Sequence, residues 1–218
     1  MDIGYIVVVL GVIFFSMTLH EVMHGLVAYR LGDETARLLG RLTLNPIKHI
    51  DPFLTILLPL MIVITNMTTG AAAPIFGGAK PVPFNPSRIK YDEWGVAIMA
   101  LAGPLTNFVI AGIAYGIMAL GGFSSQSLAG GILSVTVVVN LGFFVFNILP
   151  LPLLDGSRVM YALAPDFVRR TMDVIERYGI FLVFAIVMLF GELLHAYIVG
   201  MIQLCIRLFA MIFGVVSL

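Results

Sequence analysis

Apolar residues come in long runs separated by short polar connections. The first run covers residues 3–28 and opens GYIVVVLGVIFFSMTL. It is longer than a signal-peptide core and lacks a basic leader, so it is expected to be retained as a membrane helix. Further runs lie at 95–120 and 129–149, each long enough to cross a bilayer. A shorter run, 53–65 (FLTILLPLMIVIT), fits a re-entrant excursion better than a crossing. The tail from 178 to 218 is nearly all apolar. As one helix its 41 residues would measure about 60 Å, twice the hydrocarbon thickness, so a break near Gly191 or Gly200 is expected. No internal repeat is evident, which argues against an inverted-repeat transporter. The pattern predicts an all-α polytopic membrane protein, a single domain over 1–218. It would have five to six membrane segments, three of them (3–30, 95–120 and 129–158) forming the core that carries the chemistry described below.

Composition sharpens this picture. The 218 residues are 60% hydrophobic and 11% charged, with mean hydropathy +1.06. Soluble domains are about 45–50% apolar and about 25% charged. A soluble enzyme, a disordered chain and a nucleic-acid binder are excluded. Twelve basic residues balance twelve acidic ones. Eleven of the twelve basic residues fall in residues 30–48, 80–90 and 158–177. The positive-inside rule puts these stretches in the cytoplasm. The only cysteine, Cys205, excludes an intrachain disulfide and a Cys-built zinc site; it reads as a small apolar residue in lipid.

The chemistry begins in the first run, at His20-Glu21-Val22-Met23-His24. Residues four apart share one face of a helix, so two imidazoles can turn toward one zinc ion. Glu21 is then placed as general base for the metal's water. Ionisable groups inside a bilayer are costly and default to function. Catalytic zinc usually takes a third protein ligand. The remaining candidates are His49, His195, Asp155 and Glu192. Asp155 ends the stretch Asn147-Ile-Leu-Pro-Leu-Pro-Leu-Leu-Asp155-Gly156, where Pro150 and Pro152 unwind the chain. Broken backbone at membrane depth must be buried in protein or line a wet cavity. Asp155 therefore reads either as facing such a cavity or as a turn or helix cap before Gly156. His24 lies six residues before Arg30, about 9 Å of helix, which matches that depth.

His20–His24, then Gly103-Pro104-Leu105-Thr106-Asn107, then Asn147…Pro150-Leu-Pro152-Leu-Leu-Asp155-Gly156 resemble the site-2 protease family of intramembrane zinc metalloproteases. The segments Leu42–Pro52 and Ala79–Asn85 resemble its compact prokaryotic branch. The resemblance implies one Zn2+ per chain held by His20, His24 and Asp155, with Glu21 as catalytic acid/base. It implies that Asn147 assists substrate binding or the oxyanion. It also implies a multi-pass protein of a prokaryotic cell membrane whose active site opens to the cytoplasm. The substrate would be a single-pass membrane protein or membrane peptide, with no nucleic acid involved. The chain has no room for a PDZ or CBS domain.

Other marks carry weaker readings. Asn107 reads as a hydrogen-bonded link between the helices at 3–28 and 95–120, and Asn140 as interhelical glue. Glu192 and His195 share a face, read as lying at a membrane interface. His49 and Asp51 read as surface loop residues. Because a helical substrate hides its scissile carbonyl, an extended edge in Arg37–Asn45 or Gly77–Asn85 is expected to pair with unwound substrate, with a short β-hairpin expected after the first helix. A metal or proton transporter using the same buried cluster, and a zinc-bearing scaffold, are the rival functions.

Overall fold

The computed structural model describes residues 3–57, 61, 64, 68, 78–124 and 126–214. Most of the run at 53–65, and with it the question of re-entry, lies outside the described residues. Seven α-helices occur among the described residues: α1 (Ile3–Arg30), α2 (Thr35–Leu38), α3 (Asp92–Leu120), α4 (Leu128–Asn147), α5 (Asp155–Leu163), α6 (Asp166–Glu176) and α7 (Gly179–Phe213). Four of them, α1, α3, α4 and most of α7, are long and apolar enough to cross a membrane. The protein is an all-α polytopic membrane protein.

Helix α3 is the centre, packing against α1, α4, α5 and α7. Small residues let the helices approach: Ala111 and Ala114 of α3 meet Val137 and Leu141 of α4 and Phe209 of α7 in one buried cluster. Cys205 sits in that cluster, 7% exposed, so it packs between helices rather than in lipid. Helix α7 runs through 35 residues, about 52 Å, and is interrupted at Phe190 (φ −123°, ψ 23°), next to Gly191. The expected break occurs there, as a kink after which the helix resumes. Glu192 and His195 lie exposed just beyond it.

A second cluster of Ala28, Ile89, Val96 and Met99 joins the end of α1 to the start of α3. Asp33, fully buried, ties this corner together. Its carboxylate accepts from the Thr35 N–H (3.0 Å), the Thr35 hydroxyl (2.5 Å) and the Asn85 N–H (2.6 Å). Burial alone would raise its pKa, but these donors and Arg88 hold it below the usual carboxylate range.

The expected hairpin is not seen among the described residues, which contain no strand. Arg37 lies in α2, and residues 41–45 and 78–85 are not helical. They are joined by side chain and isolated backbone contacts, the Arg41 guanidinium donating to Lys80 O (2.8 Å) and Lys80 N–H to His49 O (2.8 Å). The physical reason is in the sequence: Pro81 and Pro83 have no N–H to donate to a ladder. His49 is also not a surface residue. It is 3% exposed and its Nε2 lies 2.9 Å from Thr43 O, bracing the same corner.

Candidate metal centre

The His20 and His24 rings lie one turn apart on the buried face of α1, at 7% and 9% exposure. Their Nε2 atoms face each other at 3.0 Å. Asp155, the first residue of α5, completes the group: its Oδ2 lies 3.1 Å from His20 Nε2 and its Oδ1 3.3 Å from His24 Nε2. Asp155 does not cap its own helix with its side chain. Of the four candidates for a third ligand, Asp155 is the one brought to the two imidazoles; among the described residues His49, His195 and Glu192 do not join the group.

Each imidazole is oriented from behind. His20 Nδ1 lies 2.6 Å from Asn107 Oδ1, and His24 Nδ1 lies 2.8 Å from Met99 O. Both partners are acceptors, since Asn107 Nδ2 donates to Asn140 Oδ1 at 2.9 Å, which fixes the amide's orientation. Asn140 in turn donates to Ser16 Oγ (2.9 Å) and Thr136 O (2.8 Å). The Nδ1 atoms therefore carry the protons and the Nε2 lone pairs point inward. Asp155 Oδ2 is buried and receives no hydrogen bond. Three electron pairs converge within hydrogen-bonding distance, and only a positive charge among them makes that arrangement favourable.

The spacing fits zinc. Ligand atoms at the corners of a tetrahedron with bonds of about 2.0–2.1 Å stand about 3.3 Å apart. Here the two Nε2 atoms stand 3.0 Å apart, and each has a different Asp155 oxygen beside it, Oδ2 at 3.1 Å from His20 and Oδ1 at 3.3 Å from His24, so either oxygen is placed to serve as the third ligand. Two imidazole nitrogens and a carboxylate oxygen are also the donor set of catalytic zinc, with a fourth corner left for water.

Local sequence explains how α3 and α5 serve this point. A Cβ on Gly103 would lie 2.4 Å from His24 Nε2 and 2.6 Å from His20 Nε2, so any side chain there would fill the centre. Pro104, inside the same helix, has no N–H for the carbonyl of Ala100, one residue past the Met99 carbonyl that faces His24. Before α5, Leu153 adopts φ +70°, an unfavourable value for a β-carbon residue, and its side chain packs on Gly179. The chain between α4 and α5 is thus bent out of helix just ahead of Asp155, as Pro150 and Pro152 require.

Two neighbours differ from expectation. Glu21 Oε2 accepts the backbone N–H of Val82 at 2.8 Å. Val82 stands between two prolines, so its N–H is the one donor of Pro81-Val82-Pro83, and it is spent on Glu21 rather than on an edge for substrate. Asn147, at the end of α4, donates its amide to Phe143 O of its own helix at 3.0 Å. Sequence reasoning missed Met99, Ser16 and Val82. Backbone atoms leave no mark in residue type, although Gly103-Pro104 flags the turn that holds Met99.

Known proteins place this centre in context. Residues 6–130 match the model of peptidase family M50. That match includes His20, Glu21, His24 and Asn107 and stops short of Asp155. A Bacillus subtilis protein named "Putative zinc metalloprotease YwhC" is 40% identical over 191 residues, covering 84% of this chain and 78% of its own. Rip2 of Mycolicibacterium smegmatis, named in the same way, is 32% identical over 160 residues, or 71% of this chain and 56% of its own length. Rip2 of Mycobacterium tuberculosis H37Rv is 24% identical over 204 residues, 91% and 73% of the two chains. No solved structure matches the chain. The match over more than half the chain, with a relative at 40% identity, shows that the chain belongs to peptidase family M50, the site-2 protease family of zinc metalloproteases.

Proposed function

We propose that this protein hydrolyses peptide bonds of single-pass membrane proteins or membrane-tethered peptides inside the bilayer, close to the cytoplasmic face of a prokaryotic cell membrane. The observation that carries the reading is the meeting of His20, His24 and Asp155, from two separate helices, around one buried point. His24 lies only six residues inside Arg30, the basic end of α1. That puts the point about 9 Å below the basic, cytoplasmic end of the helix.

His20, His24 and Asp155 would hold the zinc, which would supply Lewis acidity and lower the pKa of a water toward neutrality. Glu21 removes the proton from the attacking water and returns it to the leaving amine. The Val82 N–H holds Glu21 Oε2 and leaves Oε1 free for that proton. Asn107 and Met99 O keep the imidazole protons on the Nδ1 side. For Asn147 to stabilise the oxyanion, its amide leaves Phe143 O as substrate binds; the family resemblance carries this assignment. Water reaches the centre beside the unwound chain at residues 148–154.

Two substitutions probe these roles. Val82→Pro keeps the extended chain and deletes the donor to Glu21, together with the buried valine side chain that lies over Gly25 of α1. It is expected to lower kcat for a membrane-tethered reporter about tenfold, the weight of one charge-assisted hydrogen bond, with zinc content unchanged. An unchanged kcat contradicts the role given to Val82. Asn107→Leu removes the acceptor behind His20 and is expected to weaken zinc binding about 10–100-fold in competition with a chelator. Equal affinity in the two proteins removes Asn107 from the account.

A transporter needs polar groups to continue across the membrane. The chain of side chains from His20 through Asn107 and Asn140 stops at Ser16. Beyond it residues 3–15 of α1 carry Tyr5 as their only polar side chain. The test is to reconstitute the protein in vesicles with a tethered reporter and map the products by mass spectrometry. Chelator-sensitive cleavage within the reporter's membrane segment is expected. Zinc flux without cleavage would overturn the proposal.

A further inference from the structure

Helix α6 (Asp166–Glu176) carries a sorted set of charges that the metal centre does not use. Its acids are engaged: Glu176 pairs with Arg158 of α5, the Tyr161 hydroxyl donates to Asp173 Oδ2 (3.4 Å), and Asp166 lies 3.8 Å from Arg169. Arg169 also donates to Tyr161 O and Ala162 O, each at 3.0 Å. These contacts turn one face of α6 onto α5. Arg170 and Arg177 sit on the other face, exposed, with no hydrogen bond or ion pair among the described residues.

At helical spacing the same outer face carries Phe167 (73% exposed), Val174 (56%) and, past the helix end, Tyr178 (64%). Past the bend at Tyr178, exposed apolar residues resume on the membrane helix α7 at Phe181, Phe184 and Met188. An apolar stripe that runs on into a membrane-facing surface is itself membrane-facing. Two arginines without a partner among the described residues are set into it, while Asp173 and Glu176 are engaged by α5 and Asp166, though exposed, stands 3.8 Å from Arg169; this favours an anionic surface over a zwitterionic one or an acidic-poor protein face. The position agrees: α6 lies in the chain between α5, which begins at Asp155, and the membrane helix α7, and Arg170 and Arg177 belong to a basic stretch of the kind that gathers at the cytoplasmic membrane face.

We propose that the outer face of α6 is a binding surface for anionic phospholipid headgroups. Arg170 and Arg177 take the phosphates, while Phe167, Val174 and Tyr178 enter the acyl boundary. Through the Arg158–Glu176 pair this contact bears on α5, the helix that carries Asp155.

The full chain in nanodiscs of mixed phosphatidylcholine and phosphatidylglycerol tests this, with lipid stripped stepwise by detergent and the retained molecules weighed by native mass spectrometry. The wild type is expected to retain phosphatidylglycerol over phosphatidylcholine by at least about fivefold, the weight of one arginine at an anionic surface. R170Q/R177Q should lose that preference, and R170K/R177K and Arg37→Gln should keep it, since Arg37 belongs to a separate cluster with Glu34 and Tyr29. Equal retention of the two lipids by the wild type overturns the proposal, as does a preference that survives in R170Q/R177Q. Protection of the face by a second copy of the chain or by another protein would appear as the first of these results.

Discussion

Asp155→Ala binds zinc more than about 100-fold more weakly than the wild type in chelator competition, and its cleavage activity is lost. The expectation follows from charge. His20 Nε2 and His24 Nε2 stand 3.0 Å apart with both lone pairs inward, and among the described residues Asp155 supplies the one anion within 3.3 Å of them. Without it a dication at this buried point keeps two neutral ligands and loses its countercharge. That exceeds the 10–100-fold that loss of an orienting partner costs. Asp155→Asn should recover part of the affinity, because the amide oxygen keeps the shape but not the charge. Neither change removes a helix cap, since the Asp155 side chain makes no bond to its own backbone start. Near-wild-type zinc affinity in both variants would separate Asp155 from the centre.

Glu21→Gln gives the second large effect and a different signature. Turnover falls more than about 100-fold, in the range for loss of a general acid–base group, while zinc content and affinity stay within about twofold. The glutamine carbonyl can still accept the Val82 N–H, so the position of segment 78–85 is kept. The paired measurements separate the functions. A protease loses turnover and keeps its metal, a transporter retains flux, and a scaffold is indifferent. Retained turnover would assign the proton transfer to another group.

Much of the site was legible before the fold, for identifiable reasons. Two imidazoles at i and i+4 within an apolar run are costly unless used, so His20 and His24 stood out. Asp155 was legible because Pro150 and Pro152 unwind the chain just ahead of it, although a turn or cap reading fitted the same residues. What sequence could not give is what backbone atoms do. Met99 O on His24 and Val82 N–H on Glu21 depend on how α3 and segment 78–85 cross α1. The same limit explains the hairpin not seen among the described residues: an edge was expected from what an unwound substrate needs, while Pro81 and Pro83 had already removed its donors. His49 was misread because a polar residue beside a basic loop resembles a surface residue, yet its ring is buried against Thr43 O. Cys205 was placed in lipid because a helix apolar on all sides gives no clue to which side meets α3 and α4.

The central claim is one metal between α1 and α5. X-ray absorption at the zinc edge of the purified full chain tests it most directly. The account predicts one zinc per chain with only nitrogen and oxygen neighbours at about 2.0–2.2 Å, outer scattering from two imidazoles, and a changed first shell in Asp155→Asn. Scattering from fewer than two imidazoles, or a spectrum that Asp155→Asn leaves untouched, would contradict it.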